Sequence, residues 1–145
     1  MNENIKSVAY GNGVFIAAAG DRILRSTDGE NWTVVKMSNP TSSLNQLTDV
    51  AFGNGTFIAC CQCYYYVTQD NGATWTEGVH ASNMEHVAFG DGTFILASPE
   101  DGGIISIDSC TLKRTSFYDV MDEMAFVNGT FYGVRRDSND QNLYR

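Results

Sequence analysis

The chain has 145 residues, with seventeen Asp and Glu against nine Lys and Arg, a formal net charge of −8 and 43% hydrophobic residues. That charge excludes sequence-blind nucleic-acid binding, which needs a basic surface, and argues against docking on anionic membranes. The composition is that of one globular domain, and the longest apolar run, Val14 to Ala19, is far too short to span a bilayer.

Met1 to Lys6 shows no basic stretch leading into an apolar one, so no export signal is read there and synthesis in the cytoplasm is expected. The first alternating segment follows, Val8-Ala-Tyr-Gly-Asn-Gly-Val-Phe15. Its pattern returns as Val50-Ala-Phe-Gly-Asn-Gly-Thr-Phe57, Val87-Ala-Phe-Gly-Asp-Gly-Thr-Phe94 and Met124-Ala-Phe-Val-Asn-Gly-Thr-Phe131. The closing phenylalanines lie 42, 37 and 37 residues apart. A period near 40 residues marks a repeat architecture.

In each copy a dipeptide separates two apolar runs: Asn12-Gly13, Asn54-Gly55, Asp91-Gly92 and Asn128-Gly129. Such pairs suit the two-residue type I′ turn, which needs positive φ at both positions. Aromatic residues flank every turn, Tyr10 and Phe15, Phe52 and Phe57, Phe89 and Phe94, Phe126 and Phe131, and these favour paired strands. Each unit therefore opens with a tight β-hairpin.

Further strands follow in chain order. The first unit adds Arg22–Arg25 and Trp32–Val35, the second Tyr64–Val67 and Trp75–Glu77, the third Gly103–Ser106 and Leu112–Phe117. The fourth adds only Asn142–Arg145. No window carries a sustained helical period. The prediction is an all-β chain, a single β-propeller over 1–145 of four-stranded antiparallel blades, three full and one partial. Blade bounds are about 5–37, 47–79, 85–117 and 122–145, the last lacking its outer strand. An unpaired edge invites association, so self-association through the partial blade is expected.

Between the third and fourth strands of the second unit lies Thr68-Gln-Asp70-Asn-Gly72-Ala-Thr74-Trp75. The first unit has the shorter Ser26-Thr-Asp28-Gly29-Glu-Asn-Trp32, and the third keeps Ser106-Ile-Asp108. On these residues the chain resembles the Asp-box (BNR, sialidase-type) family of β-propeller repeats, closest in pattern to uncharacterised bacterial and phage propeller proteins. The resemblance implies the fold but no one activity, since such proteins include glycosidases, assembly factors and surface components. The local physics favours a structural role for Ser26, Asp28, Gly29, Trp32, Thr68, Asp70, Gly72, Thr74, Trp75, Ser106 and Asp108. The carboxylate can accept N–H groups of its own turn, glycine supplies left-handed backbone, and tryptophan covers the sheet.

A sialidase needs a cluster of arginines gripping the substrate carboxylate. None of Arg22, Arg25, Arg114, Arg135, Arg136 and Arg145 lies in the Arg-Ile-Pro setting of that family. There is no phosphate loop, no Gly-x-Ser-x-Gly and no His-Glu-x-x-His. The chain is expected to be a non-catalytic binding or structural module with a protein or glycan partner, surface- or virion-associated. Glycoside processing and an intracellular assembly scaffold are the alternatives.

In a propeller the hairpin turns and Asp boxes share one face, and the variable connectors share the other. Loops on a rigid scaffold carry specificity. The candidate binding residues are therefore Asn39, Asn45, His80, Asn83, Glu100, Asp101, Tyr118, Arg135 and Arg136. No cofactor or metal is expected: Glu100, Asp101, Asp119, Asp122 and Glu123 lack calcium-loop spacing. Of Tyr64, Tyr65 and Tyr66, strand alternation buries at least one. Cys60, Cys61, Cys63 and Cys110 are expected as reduced thiols.

Overall fold

A computed structural model of the chain describes residues 4–38, 45–80, 83–99, 103–118, 123–136 and 141–144. They form fifteen strands in four antiparallel sheets and no helix. Sheet 1 is β1 (Ile5–Gly11), β2 (Val14–Ala19), β3 (Arg22–Ser26) and β4 (Thr33–Met37). Sheet 2 is β5 (Leu47–Gly53), β6 (Thr56–Cys61), β7 (Tyr64–Thr68) and β8 (Thr76–Val79). Sheet 3 is β9 (His86–Gly90), β10 (Thr93–Ala97), β11 (Gly103–Asp108) and β12 (Arg114–Tyr118). Sheet 4 has three strands, β13 (Glu123–Val127), β14 (Thr130–Arg136) and β15 (Gln141–Tyr144).

The hairpins follow from their turn residues. Asn12 and Gly13 have φ of 50° and 78°, Asn54 and Gly55 46° and 76°, Asp91 and Gly92 45° and 75°, Asn128 and Gly129 49° and 80°. Two positive φ values in succession match the twist of paired strands. The aromatic flanks face each other across the ladder, with ring centroids 4.5–4.7 Å apart. Tyr10 pairs with Phe15, Phe52 with Phe57, Phe89 with Phe94 and Phe126 with Phe131.

Some predicted bounds shift. Trp32 and Trp75 precede their fourth strands instead of opening them, because each indole N–H is tied to a glycine carbonyl of the preceding turn. Leu112 likewise stands before β12, with φ at 55°. Arg135 and Arg136 were placed in a connector by the sequence pattern, but β14 runs through both, paired with Asn142 and Gln141. Tyr118 closes β12 opposite Gly103.

Alternation puts apolar side chains between neighbouring sheets. Ile16, Ala18 and Ile23 of sheet 1 meet Val50, Phe57, Ala59 and Tyr66 of sheet 2. Ile58, Cys60 and Val67 of sheet 2 meet Val87, Phe94, Leu96 and Ile105 of sheet 3. Within the tyrosine triplet Tyr66 is fully buried, while Tyr64 and Tyr65 are half-buried. The opening strands form the inner series, β1 against β5, β5 against β9 and β9 against β13. No packing of that extent joins β13 back to β1 among the described residues.

Candidate functional site

Each of the three aspartate turns, at Asp28, Asp70 and Asp108, is closed by its own hydrogen bonds. In the second, Asp70 accepts the Thr68 hydroxyl at 2.7 Å, the Thr74 N–H at 2.9 Å and the Thr74 hydroxyl at 2.5 Å. Thr68 Oγ1 in turn accepts the Gly72 N–H at 3.0 Å, and the Trp75 indole N–H donates to the Gly72 carbonyl at 3.2 Å. The first box repeats the scheme: Asp28 accepts from Ser26, Glu30 and Asn31, and Trp32 donates to Gly29. In the third, Asp108 accepts the Cys110 and Thr111 N–H groups, and the hydroxyl that closes the turn comes from Thr111. Leu112 takes the tryptophan's place and packs against the core between sheets 2 and 3.

These donors favour the charged carboxylate. Hydrogen bonds from Asn31 hold Asp28 far below the usual carboxylate range. Thr74 pulls Asp70 down to about 2, and Thr111 lowers Asp108. Three exposed carboxylates are thereby committed to the backbone and side-chain donors of their own turns.

Hairpin turns and boxes share one face and are cross-linked between sheets. Asn12 donates to the Asn71 side chain at 3.1 Å, and Arg25 Nε donates to the Asn71 carbonyl at 2.8 Å. One sheet further on, Asn54 donates to the Ser109 hydroxyl at 3.1 Å, while Thr56 and Gln69 donate to the Ser109 carbonyl. Beside these links a cleft of about 180 Å³ opens between sheets 2 and 3, lined by Val67, Gln69, Asp70, Thr74, Thr76 and Leu112. An adjoining recess of about 130 Å³ adds Tyr65, Glu77, Gly78 and Ile107. Each falls short of the roughly 300–1,000 Å³ of a typical small-molecule pocket.

The opposite face departs from the expected set of exposed loop contacts. Asn45 and His80 are 4% and 6% exposed, so they line the interior instead of presenting themselves to a partner. The cause lies in the backbone. Ser38 N–H donates to the Asp21 carbonyl, Leu47 N–H to Gly20 and His80 N–H to Cys63, and these bonds draw the connectors onto the β2–β3 and β6–β7 turns. Ser38 Oγ also donates to the Asn45 carbonyl at 2.8 Å, and the His80 ring stacks on Tyr65. Asn83 is half-buried. Asn39, Glu100, Asp101, Asp119 and Asp122 lie outside the described residues.

Sequence reasoning missed Asp49. Its Oδ1 accepts the Ser7 hydroxyl of β1 at 2.6 Å and its own neighbour's N–H, Val50, at 2.9 Å; its Oδ2 accepts the Val87 N–H of β9 at 2.9 Å. One carboxylate ties three sheets together. The only sequence signal is a charged residue inside an otherwise alternating apolar strand. Cys60 and Cys63 stand at Cys-x-x-Cys spacing, yet Cys60 is fully buried within β6 and burial pushes its thiol far up. All four cysteines are free thiols, and no cluster of three or more His, Cys, Asp or Glu side chains suited to a metal occurs among the described residues.

No family model and no curated protein sequence matches the chain. Its fold has many counterparts among solved structures. The computationally designed Ika4 protein superimposes with a TM-score of 0.70 at 12% identity, over 99% of this chain and 92% of that one. YCF48 bound to D1 peptide gives 0.65 at 15% identity, over 99% of this chain and 52% of that one. A chain of the nidogen/laminin complex gives 0.61 at 12% identity, over 79% and 47%. The chain thus spans about half the length of the latter two. At such identities the likeness speaks for fold alone, a propeller-type repeat of antiparallel sheets.

Proposed function

We propose that the chain is a non-catalytic binding module of the Asp-box type, surface- or virion-associated, with a protein or glycan as its partner. One observation carries the reading. Asp28, Asp70 and Asp108 each accept several hydrogen bonds within their own turn and are held ionised, as structural carboxylates are. A general acid must instead retain its proton near neutral pH. Fold counterparts solved with a D1 peptide and in a nidogen/laminin complex support a macromolecular partner.

The recess between sheets 2 and 3 is the proposed seat for one partner side chain or sugar ring. Val67, Ile107 and Leu112 supply its apolar floor, and Gln69, Thr74, Thr76 and Glu77 its polar rim. Self-association belongs to the same proposal: the outer ladder of β15 pairs with no further strand among the described residues, and such an edge accepts a strand from a second copy.

Glycan and peptide arrays test the binding reading. Wild-type protein is expected to bind a discrete set on one array, and Thr76→Trp, which fills the recess from an exposed position, to weaken that binding. Turnover of a fluorogenic sialoside by the purified wild-type protein would overturn the reading.

A further inference from the structure

One geometry recurs at the three joints of the inner series. The ring on the later strand lies against the glycine that closes the earlier one: Phe52 on Gly11, Phe89 on Gly53 and Phe126 on Gly90. A Cβ on these glycines would stand 2.2, 2.2 and 2.0 Å from a ring carbon, so the joint has no room for even one added carbon. Both ends of the series break the pattern. Tyr10 holds the ring position on β1 and is 58% exposed; Val8 beside it is 56% exposed, although its counterparts Val50 and Val87 are buried. At the far end the glycine position is occupied by Val127, itself half exposed.

We infer that the Val8–Tyr10 face of β1 docks a β-blade of another polypeptide, one whose inner strand ends in glycine ahead of its turn. The surface is continuous in kind with a joint made three times inside the molecule, and Tyr10 supplies the ring half of it. Ala17, Ala19 and Leu24 are already buried, with Trp32 packed against them, which confines the open patch to the inner end of the sheet. No inner strand among the described residues offers this ring a free glycine. Gly11, Gly53 and Gly90 are covered, and Val127 places a branched Cβ where a ring must lie. The inference stands apart from what the recess binds and from pairing at β15.

Two versions of the protein separate the halves of the joint. Wild type carries the ring without the glycine, and a Tyr10→Ala/Val127→Gly double variant carries the glycine without the ring. Native mass spectrometry and sedimentation of their mixture are expected to show one-to-one heterodimer in excess of the homodimer that pairing at β15 gives either protein alone. Tyr10→Ala with Val127 retained, mixed with wild type, is expected to give no such excess. Absence of the excess, with both proteins folded by circular dichroism, would overturn the inference, as would an equal excess with the variant that keeps Val127. Should the double variant not fold, Val127→Gly alone holds both halves. Shielding of Tyr10 from nitration by tetranitromethane then supports the joint, and nitration at the wild-type rate refutes it.

Discussion

Asp49 Oδ2 accepts the backbone N–H of Val87 at 2.9 Å, a bond from the second sheet to the third, while Oδ1 holds Ser7 of the first. Removing the carboxylate leaves a part-buried N–H and a hydroxyl without their acceptor. Losing hydrogen bonds to a charged group costs about 1.5–3 kcal/mol. Asp49→Ala is therefore expected to lower the unfolding free energy by that amount, read as a lower urea midpoint, and Asp49→Asn, which keeps one acceptor, by less. An unchanged midpoint in both variants would show that the link contributes nothing.

The three aspartate turns predict a specific acid response. Asp28, Asp70 and Asp108 have pKa values lowered in the folded protein, so their contribution is fully present above the unfolded value of 3.8. It is lost as pH falls through the folded value, about 2 for Asp70. Thermal midpoints should decline across that window. Asp70→Asn should melt lower than wild type at neutral pH and show a shallower decline in acid. Parallel curves for the two proteins would contradict the assignment.

Two glycines of one hairpin test two different constraints. Gly55 has φ at 76° with no atom nearer than 3.8 Å to a built Cβ, so Gly55→Val is limited by backbone conformation and should cost at least about 1 kcal/mol. Gly53 has ordinary backbone but only 2.2 Å to the Phe89 ring, so Gly53→Ala is limited by overpacking, about 1–3 kcal/mol. Phe89→Ala should relieve the second variant and leave the first unaffected. Double-mutant cycles from chemical denaturation measure this, and additive costs at Gly53 and Phe89 would remove the joint.

Trp75 is half-buried, packs against the core between sheets 1 and 2 and donates to Gly72. Truncating a fully buried aromatic costs about 3–5 kcal/mol, so Trp75→Ala should fall below that range, near 2 kcal/mol. Equilibrium unfolding followed by far-ultraviolet circular dichroism gives the value. A loss of 4 kcal/mol or more would mean that the ring is deeper than the structure places it.

What was legible in the sequence was local. Asn54-Gly55 names its own turn because two positive φ values are needed within two residues, and Thr68 to Trp75 closes its hydrogen bonds within eight. Long-range pairings were not legible. Asp49 meets Ser7 and Val87 at separations of 42 and 38 residues, and no residue type announces such a partner. The burial of Asn45 and His80 escaped for another reason: polar composition suggests a solvated loop, whereas backbone bonds to Gly20, Asp21 and Cys63 decide where the connectors run. The repeated phenylalanines and glycines were visible, but not that each ring mates with the preceding unit's glycine.

The sheets are joined ring to glycine, and proton NMR reads these joints directly. Stacking against Phe52, Phe89 and Phe126 should shift the Hα resonances of Gly11, Gly53 and Gly90 strongly upfield, with nuclear Overhauser contacts from each to its ring. Gly13 and Gly129, with no such neighbour, should resonate near ordinary positions. Ordinary shifts at all three joint glycines, or contacts to a ring of the same sheet in place of the next, would contradict the account.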